Sequence, residues 1–240
     1  MSEINWKEKI EALIDQLKSS NVEVRQDAAW NLNQFAEDKI KEVELAIPAL
    51  KSTIDDDDWV VRKMSILALG ELNVKEEIPR IINFLRTDID PEVRVGAALA
   101  LGQLNAEEAI SDLIKALDSS YDMLRQVSIH ALGKFGIKAK AAVPKIIEIL
   151  FEPEDTNIVQ INDLAAWVLE EIGDKSAIEP LKKALNEAAY HERKFTIACA
   201  LATLEGKEGV GFAELQRMKD SYELEDYELE TFEKILEKLS

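Results

Sequence analysis

The sequence predicts an all-α protein of about six stacked helix pairs followed by a C-terminal helical cap. Three observations predict this fold class: a motif that recurs six times, aliphatic segments with helical spacing between its copies, and few helix breakers. The 240 residues include 9 Gly and 6 Pro, fewer than the average usage of about 7% and 5%. A hydrophobic fraction of 47% with only 6% aromatic residues predicts an ordered core of Leu, Ile, Val and Ala.

The recurring motif begins with an aliphatic–Arg pair and ends with Ala-Leu-Gly or a variant. Its most similar copies lie at 61–70, 93–102 and 124–133. The Arg or its equivalent lies at residues 25, 62, 94, 125, 162 and 194, which are 37, 32, 31, 37 and 32 residues apart. Such a period is typical of a solenoid, in which each unit buries its apolar face on the next one. We call the helix that carries this motif helix B.

An aliphatic segment between successive motifs predicts a second helix, helix A. Its apolar residues follow the i, i+3, i+7 spacing of one helical face. The spacing recurs at 10–17, 47–54, 78–85, 110–117, 143–150 and 178–185. Pro48, Pro79 and Pro144 each stand second in a segment, where the missing N–H suits a first helical turn. Connections are short except near 36–45 and 152–160.

The motif Val-Arg-x-x-Ala-x-x-Ala-Leu-Gly-x-Leu, followed by an Ile-Pro-x-Leu helix, resembles HEAT repeats. It is most similar to the short repeats called phycobilisome-lyase HEAT-like repeats. The resemblance covers roughly residues 6–204. It weakens in the last two copies, where Asn162 and Lys194 replace the Arg, and Glu170 and Ala202 replace the Gly. It implies a right-handed α-α superhelix whose B helices line the concave face.

The resemblance also implies that the repeated Arg is structural and pairs with an acidic residue at a neighbouring helix start. Asp58 and Asp90 each stand four residues before an Arg, at the expected N-cap of a B helix. A ladder that grips an anionic partner is the alternative interpretation. The acidic run 55–58 is predicted to cap and solvate a turn, and a weak Mg²⁺ or Ca²⁺ site there stays open.

The predicted domain organisation is a repeat domain at 1–204 and an acidic helical cap at 205–240. Phe212, Leu215 and Met218 indicate one further helix, and apolar residues from 224 to 239 indicate a last one. Residues 221–233 hold six acidic and no basic side chains. A polar end unit is what an exposed repeat terminus requires.

The charge balance excludes several function classes. Lys and Arg number 29 against 47 Asp and Glu, so the net charge is −18. That disfavours nucleic acids and anionic membranes as partners. The N-terminus lacks a signal-peptide pattern, no window reaches a membrane span, and a single Cys favours a reducing compartment. We therefore expect a cytoplasmic protein.

No catalytic motif is present, and two His with one Cys leave few soft ligands for a metal. A HEAT-like di-iron hydroxylase uses several His-Glu pairs, whereas this chain has only His191-Glu192. We therefore predict no catalytic residue, no cofactor and no resident metal.

One row on the predicted B helices is unusually apolar. Counted from the residue before the Arg, positions +3 and +6 are neighbours on the helix surface. We call their apolar members and His130 the B-helix row: Trp30, Met64, Leu67, Leu99, Val127, His130, Leu164 and Trp167. Cys199 holds position +6 in the last copy. Either the row is an exposed binding strip, or curvature of the repeat buries it.

The function that the sequence favours is a non-catalytic interaction scaffold or adaptor. Its partner would be a protein or peptide bound on the concave face, and acidic neighbours of the row favour a basic segment. These neighbours are Asp27, Glu71, Asp163 and Glu171. The alternative is an accessory subunit of a bilin-lyase-like or chaperone-like system that handles a cofactor on another protein. The sequence does not determine the oligomeric state.

Overall fold

The computed structural model describes residues 5–152, 161–221 and 223–240, and within them the chain is all α-helical. These described residues form fourteen α-helices and no β-strand. They are α1 Trp6–Gln16, α2 Val22–Glu37, α3 Ile47–Thr53, α4 Trp59–Glu71, α5 Ile78–Thr87, α6 Pro91–Gln103, α7 Ile110–Ala116, α8 Asp122–Lys134, α9 Val143–Leu150, α10 Ile161–Ile172, α11 Ile178–Glu187, α12 His191–Glu205, α13 Val210–Asp220 and α14 Asp226–Lys238. The odd helices up to α11 are the A helices and the even helices up to α12 are the B helices. The predicted all-α helical-repeat fold is therefore confirmed.

Short polar side chains cap the first three B helices. Asn21 caps α2, Asp58 caps α4 and Asp90 caps α6, each accepting a hydrogen bond from a backbone N–H two residues later. The O···N distances are 2.9 Å, 3.0 Å and 2.9 Å. These bonds satisfy amides that have no partner inside the helix. The predicted capping by Asp58 and Asp90 is confirmed.

The first five B helices end in a left-handed residue that the sequence analysis did not predict. Lys39, Asn73 and Asn105 have φ of 57°, 55° and 50°, and Gly136 and Gly173 have φ of 54° and 74°. A left-handed residue after a helix reverses the chain and lets its amide bond a carbonyl of the last turn. A 3-10 turn then leads into each following A helix, at Lys41–Ala46, Lys75–Glu77, Glu107–Ala109, Gly136–Ala142 and Lys175–Ala177.

Contacts between Cα atoms divide the chain into two compact units, residues 1–131 and 132–240. In the first unit, α4 packs between α2 and α6, and the A helices α1, α3 and α5 each pack on the next B helix. Gly70 makes one close approach possible, because a Cβ there would lie 2.9 Å from the Ala100 Cβ of α6. The missing side chain of Gly70 therefore lets α4 and α6 approach closely.

The second unit continues the same pairing. Helix α10 packs on α9 and on α12, and α11 also packs on α12. The chain then turns at 206–209 into α13, which lies against α12, and α14 contacts α12 as well. Gly211 lies against α12, where a Cβ would stand 2.4 Å from the Leu201 Cβ. The two helices predicted after residue 204 exist, while the division at 204 stays a prediction.

The core is aliphatic, as the composition predicts. Almost all of its largest fully buried side chains are Ile or Leu, and Phe232 of α14 is the aromatic exception among the described residues. None of the described helices is long and apolar enough to cross a membrane.

Arg25 and Arg62, the first two repeated arginines, form ion pairs, but the partner differs from the predicted N-cap residue. Arg25 donates Nε and Nη2 to Asp56 at 2.8 Å and 2.9 Å, and Arg62 does the same to Asp88 at 3.0 Å and 3.0 Å. The partner is thus the Asp two residues before the N-cap of the next B helix. The Asp58 carboxylate already accepts the amides of Val60 and Val61.

Candidate interaction surface on the B helices

Within the first unit, the B-helix row differs in exposure along its length. Trp30 of α2 is 56% exposed, and Met64 of α4 is buried with 7% of its surface accessible. Leu67, Leu99, Val127 and His130 are half-buried. Positions facing the A helices are buried because they form the core. The row therefore keeps apolar surface accessible at Trp30 and partly at four further residues, and Met64 adds little.

A close packing contact joins the row between α4 and α6. Gly96 has no side chain, and a Cβ there would lie 3.0 Å from Lys63 Cγ and 3.8 Å from Leu67 Cγ. The Lys63 stem therefore lies across the backbone of α6, and its ammonium bonds the Glu92 carboxylate. Tyr121 donates its hydroxyl to the same carboxylate. The bonds from Lys63 and Tyr121 hold the pKa of Glu92 below its ordinary value.

The acidic side chains predicted to flank the row are partly engaged. Glu71, at the end of α4, accepts from Lys39 Nζ at 2.7 Å and also from the Gln103 amide. Glu171 of α10 and Asp27 of α2 are both exposed. The negative charge next to the row is therefore lower than the sequence indicates at Glu71, where Lys39 compensates it.

In the second unit, the row borders a cleft of about 330 Å³ between α10, α12 and α14. Leu164 and Trp167 of α10 are half-buried, and Cys199 of α12 is buried. Burial raises the pKa of the Cys199 thiol far above its ordinary value, so the thiol is protonated near neutral pH. The cleft is lined by Trp167, Glu170, Phe195, Thr196, Cys199, Thr231, Lys234, Ile235 and Lys238.

The part of this cleft that comes from α14 escaped the sequence analysis. Thr231, Lys234, Ile235 and Lys238 share one face of α14, but nothing in their order indicates which B helix they meet. In the α10 wall of the cleft, Glu170 accepts a hydrogen bond from Thr203 Oγ1 at 2.8 Å. Burial raises the pKa of Glu170, while Thr203 and the charge of Lys238 oppose the rise. The cleft thus combines aromatic walls with a charged rim.

The structure offers little for metal binding or catalysis in the described part of the chain. No three His, Cys, Asp or Glu side chains converge there in a way that would hold a metal ion. His191, the member of the lone His-Glu pair, directs Nε2 at Glu228 Oε2 of α14 at 3.1 Å. Glu228 is fully buried, so this contact ties α12 to the start of α14.

Comparison with protein families gives overlapping matches to HEAT repeats at residues 10–88, 46–133 and 78–160. Together these matches span more than half of the chain. The chain is a HEAT-repeat protein. Residues 164–187 of this HEAT-repeat protein match the PBS lyase HEAT-like repeat, which agrees with the resemblance found in the motif.

Solved structures similar to this HEAT-repeat protein are helical-repeat proteins, natural and designed. YibA of Escherichia coli has a TM-score of 0.66 at 19% identity, over 86% of this chain and 72% of that one. An engineered protein gives 0.64 at 22% identity, over 82% and 96%. A designed armadillo repeat protein in complex with the peptide (KR)4 gives 0.63 at 19%, over 82% and 100%. At these identities the likeness concerns the fold. A comparison with curated protein sequences found no significant match.

Proposed function

We propose that this HEAT-repeat protein is a non-catalytic scaffold that binds a peptide, helix or partner domain through the B-helix row. The observation that carries the proposal is Trp30, a large aromatic residue left 56% exposed at position +6 of a B helix. Apolar surface that is exposed contiguously, as at Trp30 and the half-buried residues of the row, is typical of binding sites. Tryptophan is also enriched among the residues that dominate binding energy in interfaces.

The charge of the chain supports a basic or mixed basic and apolar partner. A net charge of −18 attracts cationic segments from a distance and speeds their encounter with the protein. A designed armadillo protein of similar fold is in complex with the basic peptide (KR)4. Apolar contacts at Trp30 and the neighbouring leucines would then hold the segment after its encounter.

The cleft in the second unit supports a second anchoring point. Its walls include Trp167, Phe195 and Ile235, and its volume of about 330 Å³ is at the lower end of small-molecule pockets. An apolar side chain of the partner fits such a cleft without a large rearrangement. Trp167 is therefore proposed as an anchor within the second unit, independently of Trp30 in the first.

The non-catalytic assignment rests on the chemistry of the reactive groups. Cys199 is buried with a raised thiol pKa, whereas a nucleophilic thiol needs an accessible, stabilised thiolate. His191 is engaged with the buried Glu228. The protonated, buried thiol of Cys199 is therefore not an activated nucleophile.

Trp30→Glu is the direct test, with Trp59→Glu as its matched control. Trp59 is 40% exposed, is the first residue of α4 and is not a member of the row. Partners captured from the source cell by the wild-type protein are identified by mass spectrometry, and affinities are then measured by calorimetry. We expect W30E to stay folded and lose at least tenfold in affinity, which is about 1.4 kcal/mol, while W59E keeps it.

The double variant W30E/W167E separates binding from stability. Circular dichroism decides first whether the double variant folds. A folded double variant with unchanged partner affinity would sink the proposal. If W30E alone unfolds, Trp30 belongs to the core, and that result would also contradict the proposed binding role.

A further inference from the structure

The aspartates of the arginine ladder have a second task besides binding the arginine. Each stands six residues before the Arg of its own repeat, at Asp56 and Asp88. Oδ1 of each also accepts the backbone amide two residues later, at Asp58 and Asp90, with N···O distances of 2.9 Å and 2.9 Å. One carboxylate therefore holds its own turn and the arginine of the preceding repeat.

The next repeat has a serine at the same position. Ser119 stands six residues before Arg125. Its hydroxyl accepts the amide of Tyr121 at 3.0 Å, so it performs the turn task. A neutral hydroxyl cannot perform the ion-pair task for Arg94, the arginine of the preceding repeat. The ladder of carboxylates is therefore interrupted at Ser119.

Arg94 shows the consequence of this interruption. No hydrogen bond or ion pair joins its guanidinium to another residue in the described part of the chain, and its Nε is buried without a partner. By contrast, Arg25 and Arg62 each make two bonds to one carboxylate. A buried charged donor without a partner is costly, so this site favours an acceptor from outside the chain.

A cleft of about 400 Å³ opens beside Arg94, within the first unit. It is lined by Leu85, Arg86, Arg94, Asp112, Lys115, Ala116, Asp118, Ser119, Ser120 and Leu124. The lining holds three cationic and two acidic side chains, a net charge of +1 in a chain of −18. Asp112 is already held by Arg86 at 2.8 Å and 2.6 Å.

We propose that this cleft binds a carboxylate, which takes at Arg94 the place that Asp56 and Asp88 take at the two preceding arginines. The planar guanidinium matches a carboxylate with two parallel bonds, and the hydroxyls of Ser119 and Ser120 supply further donors. The carboxylate is either an Asp or Glu side chain of a partner protein or a free small carboxylate.

The lining favours a carboxylate over a phosphate. Asp112 and Asp118 line the same cleft and reduce its net charge to +1, which a monoanion matches and a dianion exceeds. The site is separate from the B-helix row and does not rest on the proposed function. If carboxylate binding at Arg94 is not found, the proposed function of the B-helix row is unaffected, and the reverse also holds.

NMR of the arginine Nε–Hε groups tests the proposal on the full chain. The probes are sodium acetate and a neutral peptide with a single Glu, against sodium chloride at equal ionic strength and the same peptide with Gln. We expect both carboxylates, and neither control, to shift the Arg94 signal. Tighter binding of the Glu peptide than of acetate identifies a protein as the source, and equal binding identifies a free carboxylate.

Three variants make the test specific. Ser119→Asp restores the ladder, so we expect a higher melting temperature and loss of the carboxylate response. Ser120→Asp adds the same charge at the neighbouring exposed residue, and we expect it to raise the melting temperature less. Asp88→Ser creates a new gap, so we expect the Arg62 signal to respond as well. An Arg94 signal that carboxylates and chloride shift equally would overturn the proposal, as would an unchanged response in S119D.

Discussion

Single carboxylates in this protein stabilise both a turn and a distant cation. Asp174 is a second example beside the ladder aspartates. It precedes the 3-10 turn Lys175–Ala177 and accepts the Ser176 amide at 2.8 Å. Lys140 Nζ lies 2.9 Å from its Oδ2. The bonds from Ser176, followed by that from Lys140, lower the pKa of Asp174 to about 2.

This lowered pKa predicts an acid-dependent stability. The unfolded carboxyl titrates near pH ~3.9, so the stabilisation is complete above that pH. It is lost as the pH falls from there toward the folded pKa of about 2, because the unfolded state takes up the proton first. We expect Asp174→Asn to be less stable than the wild type at neutral pH, with the difference shrinking below pH ~4.

Urea unfolding of both proteins at several pH values measures that difference. Lys140→Met serves as a partial control, because it removes the smaller cause and leaves the bonds from Ser176. Its effect should have the same sign and a smaller size. A wild-type minus D174N difference that does not change with pH would contradict the assignment.

At the scale of elements, the B helices are spaced by their smallest residues. Gly70 of α4 lies against Ala100 of α6, and Gly133 of α8 lies against Val168 of α10. The two glycines hold the same position in the repeat, but their surroundings differ. A Cβ at Gly70 would be 2.9 Å from the Ala100 Cβ and 3.0 Å from its Cα, whereas one at Gly133 would be 3.3 Å from a Val168 methyl.

This difference predicts that Gly70→Ala and Gly133→Ala change the free energy of unfolding differently. Gly to Ala inside a helix gains roughly 1 kcal/mol of propensity. At Gly70 the clash involves backbone, so we expect overpacking of about 1–3 kcal/mol to cancel or exceed the gain. At Gly133 a methyl group yields more easily, and we expect G133A to be more stable than G70A. Denaturant unfolding of both variants decides, and a G70A protein more stable than G133A would contradict this packing.

At the scale of the whole molecule, charge opposes compactness. The net charge of −18 makes the folded chain repel itself, while the ladder pairs are partly buried and screened less by salt. Sodium chloride up to ~0.15 M shortens the Debye length to about 8 Å. Self-repulsion between exposed carboxylates should therefore weaken more than the ion pairs do.

We expect the melting temperature to rise as sodium chloride increases from low concentration to ~0.15 M. Scanning calorimetry at fixed pH measures it, and potassium chloride at the same concentration controls for the identity of the cation. A fall in melting temperature would mean that exposed ion pairs outweigh the repulsion.

Much of the fold follows from the sequence because its signals are local. Apolar spacing such as Ile47, Leu50 and Ile54 places one face of a helix, and Asp58 marks its neighbour's start, without reference to distant residues. The left-handed ends of the B helices were missed because Lys39 and Asn73 carry weaker conformational signals than glycine. The predicted partner of the repeated arginine was also wrong. The N-cap aspartate accepts backbone amides, and the arginine binds the aspartate two residues before it.

The repeat, the helix pairs, the aliphatic core and the acidic surface all follow from the amino-acid sequence alone. Only the tertiary structure decided that Trp30 is exposed while Met64 and Cys199 are buried. It also brought Lys234 and Lys238 of α14 to the Trp167 cleft and left the buried Nε of Arg94 without a hydrogen-bond partner. The physical reason is that helical spacing fixes which side chains share a face, whereas exposure and pairing depend on which neighbouring helix covers that face.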